Sequence, residues 1–167
     1  RSRTRTGMPE RAKLAGEPRS RVWGLLLWWG PLFCWWIAIL GSGGEGLSAG
    51  RTSRFIEPLV RWFLPHASDV TLAVAHIAVR KLGHVSAYAV VGLLAFRAVR
   101  AGRSPRFRWA WVSAALAIGV GLAMTDEFRQ SFVASRSGTL GDVVIDAVGC
   151  GAALLALAWW RLRSQSQ

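Results

Sequence analysis

The chain has 167 residues, 52% hydrophobic and 18% charged, with ten Trp, a balance too apolar and too poor in charge for an ordinary soluble domain of that length. Its net charge of +12 would suit nucleic acid, but the basic residues cluster beside apolar runs, where membrane topology rules put them. These bounds exclude a soluble nucleic-acid-binding domain. They predict an all-α membrane bundle of four transmembrane helices with a short amphipathic interfacial helix in the first external segment.

Residues 1–21 form a polar, basic leader containing Gly and Pro. It is expected to stay disordered on the cytoplasmic face, where attraction to anionic lipid accounts for its charge. Val22 to Leu40 then carries no charge over about nineteen residues, enough to cross a hydrocarbon core of about 30 Å at about 1.5 Å per residue. A cleaved signal peptide is the competing reading. The apolar run exceeds the about 7 to 15 residues of a signal core and no clear A-x-A site follows, so the segment is read as a true span, bent at Pro31.

The external segment, residues 41–81, opens with a Gly/Ser stretch and then changes character. From Ser53 to Leu64, Phe55, Ile56, Leu59, Val60 and Phe63 can share one helical face, and Arg51, Arg54, Glu57 and Arg61 fall on another. With Trp62 as an anchor, this predicts a helix lying on the outer leaflet and stopped by Pro65. Ser68 or Asp69 can cap a further helix that runs through Val70 to Val79 into the second span, residues 82–99. Arg80 and Lys81 mark its outer boundary.

Residues 109–125 and 143–160 supply the third and fourth spans, with a short tail at 164–167. Arg97, Arg100, Arg103, Arg106 and Arg108 lie between the second and third spans, and Arg161 and Arg163 follow the fourth. With the basic leader, they predict cytoplasmic N and C termini of a multi-pass cell-membrane protein. Trp23, Trp109, Trp111, Trp159 and Trp160 fall at the same ends, and Trp35 and Trp36 near the outer end of the first span, as interfacial belts require. Cys34 and Cys150 show no disulfide or metal-ligand spacing and are expected as small buried packing residues. Ala115, Gly119 and Ala123 form a small-residue face suited to close contact within the bundle, or to a homodimer.

The chemistry concentrates where the spans meet the outer face. Lys81, His84 and Tyr88 stand at i, i+3 and i+7, on one face of a helix descending into the membrane. Asp142, Asp146 and Gly149 share a face at the start of the fourth span, and Asp126 and Gln130 are an i, i+4 pair at the end of the third. A carboxylate one turn inside the membrane, as Asp146 is expected to be, costs about 2.5 to 3.5 kcal/mol if left without a partner. It is therefore expected to pack inward against Lys81, Arg80, Arg136 or His84. Arg129 is expected to be solvated at a loop.

The elements Lys81-x-x-His84-x-x-x-Tyr88, Asp126-Glu127-x-x-Gln130-x-Phe132, Arg136 and Asp142-x-x-x-Asp146-x-x-Gly149, in that order, resemble the VanZ-like family of small bacterial membrane proteins. The resemblance runs from about Arg80 to the end of the fourth span. It implies a helical, multi-pass cell-membrane protein with a link to glycopeptide resistance of the teicoplanin type, and it names no reaction. Family members commonly carry an acidic residue before the Lys, Pro-Gly before the Arg, and Asn at the later motif position; here Arg80, Ala134-Ser135 and Asp146 stand there. Ser135-Arg136 followed by Asp142 and Asp146 is also similar in spacing to the signature of type-2 phosphatidic acid phosphatases. An Asp occupies the place of the nucleophilic His and the upstream Lys-x6-Arg-Pro element is missing, so phosphatase chemistry is not expected.

Three readings follow. One is a site that binds or modifies a lipid head group or envelope glycolipopeptide, with Arg136 and Lys81 holding an anion, Tyr88, Asp126, Gln130 and Asp146 lining it, and His84, Glu127 and Asp142 placed for proton transfer. A second is an enzyme in the full sense, acting on a lipid-linked precursor, and a third is a polar network that fixes helix packing without chemistry; a small transporter is a further and less economical alternative. No cofactor is expected, and His84 is read as a hydrogen-bonded interior histidine rather than a metal ligand, because His66 and His76 show no ligand spacing with it.

Overall fold

The computed structural model describes residues 17–42, 49–103, 106–132 and 139–166. The leader up to residue 16, most of the Gly/Ser stretch, Ala134, Ser135 and Arg136 lie outside the described residues. Among the described residues five helices follow one another and no strand occurs: α1 (Glu17–Ser42), α2 (Ala49–Phe63), α3 (Asp69–Arg100), α4 (Trp109–Gln130) and α5 (Leu140–Gln165). Four of them, α1, α3, α4 and α5, are long and apolar enough to cross a membrane.

Helix α1 starts one turn ahead of the expected span and continues through Pro31. The amphipathic helix α2 ends at Phe63, just before Pro65, and accommodates Pro58 within it. Its exposed surface carries Leu59, Trp62 and Phe63, and among its residues of described burial Ile56 is the buried one. Helix α3 is unbroken for 32 residues, about 48 Å at about 1.5 Å per residue. The Ser68 hydroxyl accepts the Thr71 N–H at its start, and Ala101 closes it in the left-handed conformation. Helix α2 packs against α3, and α3 is longer than a core of about 30 Å.

The core lies where α3, α4 and α5 meet. Tyr88, Val91 and Ala95 from α3, Ala115 and Ala123 from α4, and Cys150 and Leu154 from α5 are sealed from solvent. Small residues set the spacing. A Cβ placed on Gly92 would fall 2.9 Å from the Cys150 carbonyl oxygen and Sγ, and one on Gly119 only 2.5 Å from Cys150 Sγ. Cys150 thus fills a slot that glycines on two helices leave open. Ala115, Gly119 and Ala123 are all buried, so the small-residue face is spent on contact inside the bundle.

Helix α1 stands outside this triple and is tied mainly to α3. The Trp35 Nε1–H donates to the Ala87 carbonyl at 3.0 Å, and the Arg97 guanidinium donates to the Trp28 carbonyl at 3.1 Å while lying 5.0 Å from that residue's ring centroid. Trp28 meeting Arg97 and Trp35 meeting Ala87 makes α1 and α3 antiparallel. Few other α1 side chains are covered by protein: Leu25, Phe33 and Ile37 are exposed, as expected of a helix whose solvent is lipid. Cys34 is also exposed, against the expectation of a buried packing residue, and only Cys150 is interior.

The pairings orient the remaining helices. Lys81 meets Asp142 and His84 meets Asp146, so α3 and α5 are parallel, with α4 returning between them. One end of the bundle gathers Arg97, Arg108, Arg161 and Arg163, each with its guanidinium over a Trp ring; the closest, Arg163 over Trp159, lies 3.9 Å from the centroid. Such cation–π pairs suit a belt that is half apolar and half wet. The opposite end gathers the carboxylates.

Candidate functional site

Three helix segments converge at the carboxylate end: the middle of α3, the last turn of α4 and the first two turns of α5. Their approach depends on Gly149. A Cβ there would sit 2.9 Å from the Val85 Cα and 3.0 Å from its carbonyl carbon, so α5 touches the α3 backbone one residue beyond His84. A side chain at this position would push Asp146 away from its partner.

At the rim, Asp142 gathers three groups. Lys81 Nζ lies 3.5 Å from Oδ1, Arg80 Nη2 lies 4.0 Å from Oδ2, and the Thr139 hydroxyl donates to Oδ2 at 3.0 Å. Thr139 is the N-cap of α5, its Oγ1 accepting the Asp142 N–H at 3.3 Å. The carboxylate in this first turn also favours the positive end of the helix dipole. Arg80 and Lys81 remain about half exposed and can reach outward.

Below the rim the groups are buried. His84 Nδ1 donates to Asp146 Oδ1 at 3.2 Å, and Asp146 has no exposed surface. The partner of Asp146 is therefore His84, whereas Lys81 and Arg80 are engaged by Asp142. Glu127 is 5% exposed and its Oε2 accepts the Thr139 N–H at 3.1 Å. Asp126 accepts from Arg129 at 3.2 Å and from Gln130 at 2.8 Å. Arg129, expected to be solvated, is instead about two-thirds covered and paired.

The charges sort into three groups. Among the described residues Asp142 faces Arg80 and Lys81, Asp126 faces Arg129, and Glu127 and Asp146 have only the His84 imidazole beside them. Glu127 Oε1, Asp146 Oδ2 and the Tyr88 hydroxyl are all buried without a hydrogen-bond partner among the described residues. Tyr88 lies one turn below His84 on α3, and its side chain is sealed from solvent. Each unmet buried group costs about 1–3 kcal/mol, and native interiors rarely leave several together. One nitrogen or oxygen from each of His84, Glu127 and Asp146 lies within 4.8 Å of the other two.

The described site residues named from sequence, Lys81, His84, Tyr88, Asp126, Glu127, Gln130, Asp142 and Asp146, therefore all belong to this end of the bundle. Arg136 lies outside the described residues. Thr139 and Arg129 were missed. The Thr139-x-x-Asp142 pattern ahead of an apolar run is a helix-start signal that marks Thr139, while the i, i+3 spacing of Asp126 and Arg129 marks the second.

The VanZ/LLP1 family model matches residues 29–161 of this chain. No curated protein and no solved structure matches it.

Proposed function

The chain belongs to the VanZ/LLP1 family, and on that premise we propose that the carboxylate end of the bundle is a binding site for the anionic head group of a membrane lipid or lipid-linked envelope glycolipopeptide. Arg80 and Lys81, joined by Arg136 from the segment between α4 and α5, hold the anion. Glu127, Asp142 and His84 are the groups equipped to move protons on the bound molecule. The positive-inside bias sets this end at the outer leaflet of the cell membrane and both termini in the cytoplasm. A link to glycopeptide resistance of the teicoplanin type, which the family resemblance implies, belongs to the same reading.

The observation that carries the proposal is the set of unpartnered polar atoms on Glu127, Asp146 and Tyr88 beneath a basic rim. A network that served packing alone would be expected to satisfy its own members. A second feature fits a lipid. A groove of about 590 Å³ between α1 and α4, lined wholly by apolar and aromatic residues including Leu26, Trp29, Phe33, Ile118 and Leu122, has room for part of an acyl chain. Ile118 and Leu122 lie eight and four residues before Asp126 on α4, so the groove follows the α4 stripe that leads to the polar cluster.

The test is native mass spectrometry of protein released from a mild detergent, comparing the intact chain with a Lys81→Ala/Arg136→Ala double variant of equal helical content. A phosphorylated lipid or lipid-linked precursor retained by the intact chain and lost from the variant is the expected result. Equal retention, or none in either, would leave the cluster as a packing network.

A further inference from the structure

We propose that His84, Glu127 and Asp146 form a binding site for one divalent transition-metal ion of the zinc class at the floor of the head-group site. The inference deepens the reading above and rests on the same cluster, but its geometry stands without the lipid.

Each ligand comes from a different helix: His84 from α3, Glu127 from α4 and Asp146 from α5. Their candidate donor atoms lie within 4.8 Å of one another. Donors about 2.1 Å from a shared ion are separated by roughly 3.0 to 3.5 Å, so the cluster closes by about an ångström around the metal, within the reach of side-chain rotation. Two of the donors are already waiting. Among the described residues Glu127 Oε1 and Asp146 Oδ2 are buried and unpartnered. The 3.2 Å approach of His84 Nδ1 to Asp146 Oδ1 joins two of the ligands directly, and the Thr139 N–H, outside the ligand set, holds the second oxygen of Glu127 at 3.1 Å. Such an outer contact fixes the orientation of a ligating carboxylate.

Charge points the same way. Among the described residues Arg80 and Lys81 lie nearest Asp142, with about half of each side chain still exposed, and Arg129 pairs with Asp126. That leaves two buried carboxylates and one imidazole, whose negative charge a dication balances inside a bilayer where unpaired charge is costly. The donor set decides the metal. One imidazole nitrogen with two carboxylate oxygens suits zinc or manganese better than magnesium, which favours oxygen donors and retained water. Three protein ligands leave at least one coordination position open. Above it stand Arg80 and Lys81, so a phosphate or carboxylate oxygen of a bound head group can complete the coordination.

The experiment uses tag-free full chain in mild detergent, stripped with a chelator, equilibrated with Zn²⁺, desalted and assayed for metal per chain. One zinc per chain is expected, with affinity reduced at least about tenfold in His84→Gln and in Glu127→Gln, and unchanged in Glu57→Gln on α2. No stoichiometric zinc in the intact chain, or equal affinity in all four proteins, overturns the site. Should the two ligand variants fail to fold, Co²⁺ loaded into the intact chain decides: visible d–d bands of a four- or five-coordinate nitrogen and oxygen site support it, and the spectrum of aqueous Co²⁺ overturns it. Native mass spectra of the same samples separate the two readings. Zinc without retained lipid sustains the metal site and sinks the head-group proposal, and lipid without zinc does the reverse.

Discussion

Gly149 of α5 rests on the backbone of Val85 of α3, so close that a Cβ added to it would lie 2.9 Å from the Val85 Cα. This contact puts Asp146, one helical turn earlier on α5, beside His84. Backbone cannot move aside as a flexible side chain can. Gly149→Ala should therefore destabilise the bundle by about 1–3 kcal/mol through overpacking. Gly121→Ala, on an α4 face with nothing within 4 Å of the new methyl, should be neutral or stabilising by up to about 1 kcal/mol through helix propensity. Denaturant titrations of helicity in detergent compare the two, and equal effects would refute the close approach.

The ion pairs at this end should differ in worth. Lys81→Ala removes a half-exposed partner of Asp142 and should change stability by less than about 1 kcal/mol. Asp126→Ala removes a buried acceptor from Arg129 and Gln130. Its cost should fall near the lower end of about 3–5 kcal/mol, because Arg129 keeps about a third of its side chain in contact with solvent. The same titrations check the order.

The two thiols should react differently. Cys34 is exposed on α1 and Cys150 is enclosed by Gly92 and Gly119. A lipophilic maleimide should label Cys34 in the folded protein and reach Cys150 only after denaturation, as read by peptide mass spectrometry. Labelling of Cys150 at the same rate would mean that the α3–α4–α5 core opens readily.

Orientation is testable with reporters. Fusion of a fluorescent protein that folds only in the cytoplasm should glow at the C terminus, and alkaline phosphatase inserted at His66, in the turn between α2 and α3, should be active outside. The opposite pattern would move the carboxylate end to the cytoplasmic leaflet and remove envelope precursors as ligands.

Much of the site was legible because its residues are polar where the chain should be apolar. His84 and Asp146 announce themselves as ionisable groups inside spans, and the i, i+4 spacing of Asp126 and Gln130 foretold their hydrogen bond. Glu127 lies at a span's end, where sequence alone suggests exposure. It is buried because α5 begins beside it and the Thr139 N–H meets its carboxylate, a contact across a loop that no local pattern reports.

Hydropathy, helical period and charge are properties of each segment alone, and from them follow the four spans, the amphipathic helix between the first two, and the gathering of arginines and tryptophans at one end. The pairing of Asp146 with His84 while Asp142 takes Lys81, the engagement of Arg129, and the meeting of His84, Glu127 and Asp146 appear only once the helices are packed. Those outcomes depend on how far each helix is rotated and slid against its neighbours. Here rotation and slide are settled by close packing at Gly92, Gly119, Cys150 and Gly149, where a single added methyl would shift which polar groups face one another.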